Sequence, residues 1–169
     1  MWTFACSLLL IAAMWWDVRT HRIPNPLVLL GWAVGMAIAW QPDGIGWIDA
    51  AEGSLAGLAV FLPFYLLRIL GAGDVKLLAA VGAFVGFPGI LTVAMLTGVS
   101  GGVLALLIAL RHGQLTVMWQ NVHQGVLGFV MQMASGGRPR QWVMVVGPHR
   151  LPYALAIGLG TLGYVLLNN

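Results

Sequence analysis

The chain has 169 residues, 60% of them hydrophobic and only 8% charged, with a formal net charge of +3. A soluble domain carries about 25% charged residues, so this composition excludes an ordinary water-soluble fold and points to a polytopic membrane protein. The basic residues are scattered rather than massed, which argues against nucleic acid as a partner, and the one cysteine, Cys6, excludes an intrachain disulfide or a multi-cysteine zinc site.

The first apolar run predicts a helix from about Trp2 to Trp16 that frays towards Thr20. Trp2 and Phe4 at one end, and Trp15 and Trp16 at the other, suit the membrane interface. No basic n-region or small-residue cleavage site accompanies this run, so it reads as a retained helix rather than a signal peptide. Asp17 to Pro26 forms a polar hinge, in which Asn25 and Pro26 predict the N-cap and first residue of a second helix reaching Trp40. The turn-rich stretch from Gln41 to Trp47 leads to a third helix, from about Ile48 to Leu70, with a kink expected at Pro63. The stretch from Gly71 to Lys76 opens a fourth helix, from about Asp74 to Phe87. Phe87-Pro88-Gly89 makes a tight turn, and a fifth helix follows from about Ile90 to Leu110. The last runs from about Pro152 to Leu167. The second, fourth and sixth are short for a hydrocarbon core of ~30 Å.

Between Arg111 and Arg150, apolar residues from Leu115 to Met133 recur at helical spacing, interrupted by glutamines, Asn121 and His123. This pattern predicts an amphipathic helix lying on the membrane surface. The expected fold is therefore all-α: about six transmembrane helices in one bundle, residues 1–169 forming one membrane-embedded domain, with a cytoplasmic or interfacial segment at 111–150.

Six spans place the loops around 17–26, 68–76 and 111–150 on one side. Those loops hold all eight Lys and Arg residues, while Asp43, Asp49 and Glu52 fall on the other side. Positive residues stay in the cytoplasm, so Asp17 and Asp74 are expected together at the cytoplasmic face. The cationic side chains Arg111, Arg138, Arg140 and Arg150 would hold anionic lipid headgroups. Glycines repeat at helix-contact spacing in Gly31/Gly35, Gly53/Gly57, Gly82/Gly86 and Gly98/Gly102, which predicts close backbone packing. Gly158-Leu159-Gly160-Thr161-Leu162-Gly163 matches a dinucleotide fingerprint in form, but no strand or βαβ unit surrounds it.

Asp17 and Asp74 are the membrane-edge carboxylates. An aspartate beside hydrocarbon costs at least ~2.5 kcal/mol and calls for a function. Two aspartates can hydrolyse a peptide bond without metal or cofactor: one carboxylate activates water while its protonated partner hydrogen-bonds the scissile carbonyl. Asp17 ends one helix and Asp74 begins another. Helix-end electrostatics therefore favour the negative charge at Asp74 and leave the shared proton to Asp17. Gly71 and Gly73, just ahead of Asp74, provide unusual backbone angles or close approach. Lys76 lies across the helix from Asp74 and is expected to snorkel to the headgroups.

Gly71-x-Gly73-Asp74-x-Lys76 resembles the GxGD signature of intramembrane aspartyl proteases, the prepilin peptidases in particular. Asp17-x-Arg19 with Ile23-Pro24-Asn25 is similar to the segment carrying that family's first catalytic aspartate, and Leu151-Pro152-Tyr153-Ala154 resembles its closing motif. The resemblance implies a bacterial inner-membrane enzyme that removes the basic leader of type IV pilin and pseudopilin precursors at the cytoplasmic face. Asp17 and Asp74 would be catalytic, and Gly71, Gly73 and Asn25 would meet the substrate. The short, cysteine-free loop between the first two helices lacks the zinc insert of the bifunctional members, so N-methylation is not expected. The compact form is most similar to the Flp/Tad-type peptidases. A small transporter or channel, and a non-catalytic subunit of a pilus or secretion assembly, are the competing readings.

Overall fold

The computed structural model describes residues 2–20, 22–66, 70–111, 113, 115, 116, 120, 123 and 153–168. Among them six α-helices are delimited and there is no strand. They are α1 (Trp2–Thr20), α2 (Asn25–Ala39), α3 (Trp47–Leu66), α4 (Ala72–Val85), α5 (Gly89–Arg111) and α6 (Tyr153–Leu167). The all-helical class agrees with the sequence reading. By length and composition α3 and α5 are able to cross a membrane, while α2 and α6 are apolar but shorter.

The chain divides into two compact units, one formed by Met1–Gly102 and Pro152–Asn169, the other by Val103–Leu151. In the second unit α5 runs on to Arg111, and Gly113 then takes a positive φ of 64°. The surface helix expected over 111–150 falls almost wholly outside the described residues, as do Arg68, Arg138, Arg140, Arg150, His21 and Pro152.

The first unit is built around α4. From Leu77 to Phe84 this helix is buried almost throughout, with Leu77, Leu78, Ala80, Val81 and Ala83 fully enclosed. A methyl group at Gly82 would run into the backbone of Gly53, and one at Gly57 would lie 2.8 Å from the Leu78 carbonyl oxygen. The two helices therefore touch main chain to main chain. That contact lets α3 and α4 gain dispersion energy where neither can gain from excluding water. On the other flank Gly35 of α2 receives the Cβ of Ala83, and Gly31 receives the side chain of Leu9 from α1. Three of the four expected glycine pairs thus serve helix contacts. At Gly98 and Gly102 no described neighbour lies within reach of an added methyl.

The fingerprint-like glycines sit on α6 and pack: Gly160 against Thr97 of α5, Gly158 against Met14 of α1 and Gly163 against Leu96. Outward, the helices present large apolar residues such as Leu30, Leu55, Met95 and Val99, each at least 64% exposed. So many exposed apolar side chains suit lipid rather than water.

Two boundaries differ from the sequence reading. Pro24, not Asn25, is the N-cap of α2: its carbonyl accepts the Leu27 N–H (3.1 Å) and the Val28 N–H (3.3 Å), and no side chain caps the helix. Proline's fixed φ pre-sets that corner, which moves Asn25 into the first turn. Helix α3 is described only to Leu66, and Leu70 is already in a bend, its N–H reaching back to the Phe64 carbonyl at 3.3 Å. Pro63 inside the last turn removes a backbone hydrogen bond where the helix is least able to lose one.

Candidate active site

The end of α1, the start of α2 and the first turns of α4 and α6 meet at one end of the first unit. Asp17 lies in the last turn of α1 and is only 6% exposed. A buried carboxylate needs hydrogen-bond donors. One is the backbone N–H of Ala154, in the first turn of α6, which donates to Asp17 Oδ2 at 3.1 Å. The first N–H groups of a helix have no partner within it and carry its positive dipole end, so α6 supplies a ready-made anion acceptor to Asp17.

Asp74 is partly buried in the first turn of α4. Its Oδ2 accepts the N–H of Gly71, the N-cap, at 3.0 Å. This is the reciprocal half of a capping box. It fixes the carboxylate over the start of its own helix. Asp17 and Asp74 are near enough for their charges to repel each other, and the Tyr153 phenol also lies in the field of Asp74. Tyr153 itself is held edge-on to Phe61, ring centroids 5.9 Å apart.

The structure therefore places the two sequence-selected aspartates at the same end of the first unit, in range of each other's charge. It also removes the asymmetry expected from helix ends. Asp17 closes α1 but faces the start of α6, so both carboxylates sit on helix N-termini. Helix-end electrostatics alone no longer assign the proton.

The glycines have a different role from one of the two expected. Gly71 has φ −78° and ψ 153°, ordinary extended backbone, and Gly73 is not among the positive-φ residues. Close approach is what Gly73 serves: a methyl there would lie a tight 3.1 Å from Ile23 Cβ. Lys76 does not simply point to the headgroups. Its Nζ donates to Asn25 Oδ1 at 3.1 Å, across from α4 to α2. Arg19 stacks over Trp15 with its guanidinium carbon 3.9 Å from the ring centroid. Among the described residues no three His, Cys, Asp or Glu side chains gather where they could hold a metal ion.

Three partners were not named from the sequence: the Ala154 N–H on Asp17, Ile23 on Gly73, and Asn25 on Lys76. A signal existed for the first. Leu151-Pro152-Tyr153-Ala154 marks a helix start, and helix starts carry free N–H donors.

Residues 4–106 match the type IV leader peptidase family. Over 157 residues the chain is 29% identical to a prepilin leader peptidase/N-methyltransferase of Dickeya chrysanthemi, an overlap covering 87% of this chain and 46% of that protein. A protein of the same description from Pectobacterium carotovorum subsp. carotovorum is 30% identical over 98 residues, 54% of this chain and 35% of that one. The chain thus spans less than half the length of these curated relatives. No solved structure matches it.

Proposed function

The chain belongs to the type IV leader peptidase family, and from that premise we propose that it removes the basic leader from type IV or Flp pilin-like precursors with Asp17 and Asp74 as the catalytic pair. The observation that carries this reading is the placement of the two carboxylates, from α1 and α4, at the same end of the first unit, each held by a helix-start N–H. Two carboxyls drawn side by side around a substrate share a proton. The ionised member takes a proton from water as that water attacks the scissile carbonyl. The protonated member donates a hydrogen bond to the carbonyl oxygen as charge develops there. The tetrahedral intermediate then collapses, with the leaving amine taking up a proton from the pair. No covalent intermediate is needed, and the pair returns to its starting protonation after one turnover.

Gly71 and Gly73 stand just ahead of Asp74 and line the path of the substrate backbone, while Asn25 is turned to Lys76. The pair lies at the end of the first unit that also carries Arg19, Arg22 and Lys76, while Asp43 and Asp49 lie at the opposite end. With basic residues retained in the cytoplasm, the enzyme is a multi-pass protein of the bacterial inner membrane that works at its cytoplasmic face, six helices crossing. Membrane lipids surround it. The cysteine-free connector between α1 and α2 supports peptidase activity without N-methylation.

The test is leader removal from a co-expressed prepilin, read by mass spectrometry of the pilin N-terminus. Cleavage just before the pilin's hydrophobic helix is expected. An intact leader beside well-expressed protein would overturn the reading. Reporter fusions at Asn169 and after Trp40 are expected on the non-cytoplasmic side; a cytoplasmic reading at Asn169 would overturn the six-span arrangement.

A further inference from the structure

The connector between α1 and α2 is tied down at three successive points. The Thr20 hydroxyl, at the end of α1, lies 2.8 Å from the Trp16 carbonyl and 3.0 Å from the Arg22 carbonyl, so its one proton is shared between them. The next residue, Ile23, packs on Gly73. Asn25 then accepts the hydrogen bond from Lys76. Two of the three ties land on the first turn of α4, on either side of Asp74. The connector begins one turn after Asp17. It is the shortest covalent route between the Asp17 turn and anything that touches the Asp74 turn.

We propose that Lys76 and Asn25 form a positioning latch that holds the 20–25 connector on the first turn of α4 and so sets the spacing of Asp17 from Asp74. Lys76 is not a catalytic residue in this arrangement: its ammonium is turned to Asn25, across the helix from the Asp74 carboxylate. A long cation on α4 and a short amide on α2 span the gap that Ile23 fills. The hydrogen bond carries a full charge on one side, which makes it stronger than a neutral one. The backbone of Gly73 has no side chain to keep Ile23 away, so the latch closes onto a flat surface. The effect on rate follows because a shift near 1 Å between reacting groups costs up to ~100-fold.

The effect on rate rests on the peptidase reading; the latch itself does not, and two measurements separate them. The first is amide hydrogen exchange of residues 18–28 in the purified full chain, for Lys76→Met, Asn25→Leu, their double variant and Lys76→Arg. Each single variant is expected to exchange about fivefold faster, the size of one modest hydrogen bond. The double variant should be no faster than either single one, because they break the same contact. Lys76→Arg should stay near wild type. Unchanged exchange in both single variants overturns the latch, as does a double variant whose effect is the product of the two. The second measurement is cleavage of a prepilin peptide with a basic leader. Both single variants should lose about tenfold in kcat with KM within about twofold, and neither should move the pH profile. A rise in KM alone would make the two residues substrate contacts. A pH profile displaced by Lys76→Met but not by Asn25→Leu would make Lys76 act by its charge. Either result overturns the positioning role. If the wild-type chain cleaves nothing, the peptidase reading fails while the exchange result still decides the latch.

Discussion

The two halves of α4 are built on opposite principles. From Leu77 onward the helix is enclosed, and its backbone meets that of α3 with no side chain between them. Its first turn is open: Gly71, Ala72 and Lys76 are exposed and Asp74 only partly buried. The enclosed half gains its stability from dispersion and shape. The open half is held by individual polar contacts, Gly71 to Asp74 and Lys76 to Asn25. One helix thus serves as anchor and as platform, and the enclosed half gives the polar contacts of the open half a fixed reference. A site of this kind needs little stability of its own, because it is attached to an enclosed, closely packed element.

Substitutions should separate the two halves. The largest effect is expected at the carboxylates. Asp17→Asn or Asp74→Asn should each reduce prepilin cleavage by about 10³-fold or more, within the range for positioned acid–base groups. The double variant should be no worse, since the pair acts as a unit. For Asp74→Asn the thermal midpoint in detergent should barely change; a matching loss of stability would mean that Asp74 is a structural cap first.

The reverse pattern is expected at Gly82→Leu, in the enclosed half. Forcing a side chain between the α3 and α4 backbones should cost about 3 kcal/mol of stability, seen as loss of folded protein in the membrane. A well-folded Gly82→Leu with normal activity would refute the anchor.

Gly73→Val lies on the boundary. It meets Ile23 of the connector, and cleavage should fall about tenfold with a small change in stability. Gly158→Val meets first Met14, a flexible side chain that can swing away, and should cost less than about twofold. Equal effects would mean that Gly73 is only a packing residue. The smallest effect on cleavage is expected at Gly86→Ala. Gly86 ends α4 with φ 73° and ψ −178°, backbone open essentially to Gly alone, and a Cβ there should cost about 1–3 kcal/mol of stability. It lies at the far end of α4 from Asp74, so the cleavage rate should be unaffected.

Much of this was legible along the chain. Helices were readable because apolar runs long enough for membrane helices are separated by Pro, Gly and charge. The observed starts and ends fall within a few residues of the expected ones, with α3 described as far as Leu66. The aspartates were legible because a carboxylate between apolar runs is costly and therefore conspicuous. The glycine pairs at four-residue spacing foretold α3 against α4, though not which pair would find which partner, and Gly98/Gly102 shows that the spacing alone does not create a contact.

Sequence by itself determined the helical class, the place of the two carboxylates at the edges of apolar runs and the spacing of basic residues from acidic ones along the chain. These depend on local composition, which each segment carries wherever it ends up. Only the tertiary structure decided what each polar group touches. Asp17 looked like a helix-end charge opposed by its own dipole, yet the start of α6 lies against it and supplies an N–H. Asn25 looked like a cap and became the acceptor for Lys76, because Pro24 took the capping position. Gly73 was open to two roles, unusual backbone or close approach, and the packing of Ile23 against it selects the second. Hydrogen-bond partners far apart in sequence are chosen by where helices cross, and that is set by the packing of whole faces rather than by any residue's own preference.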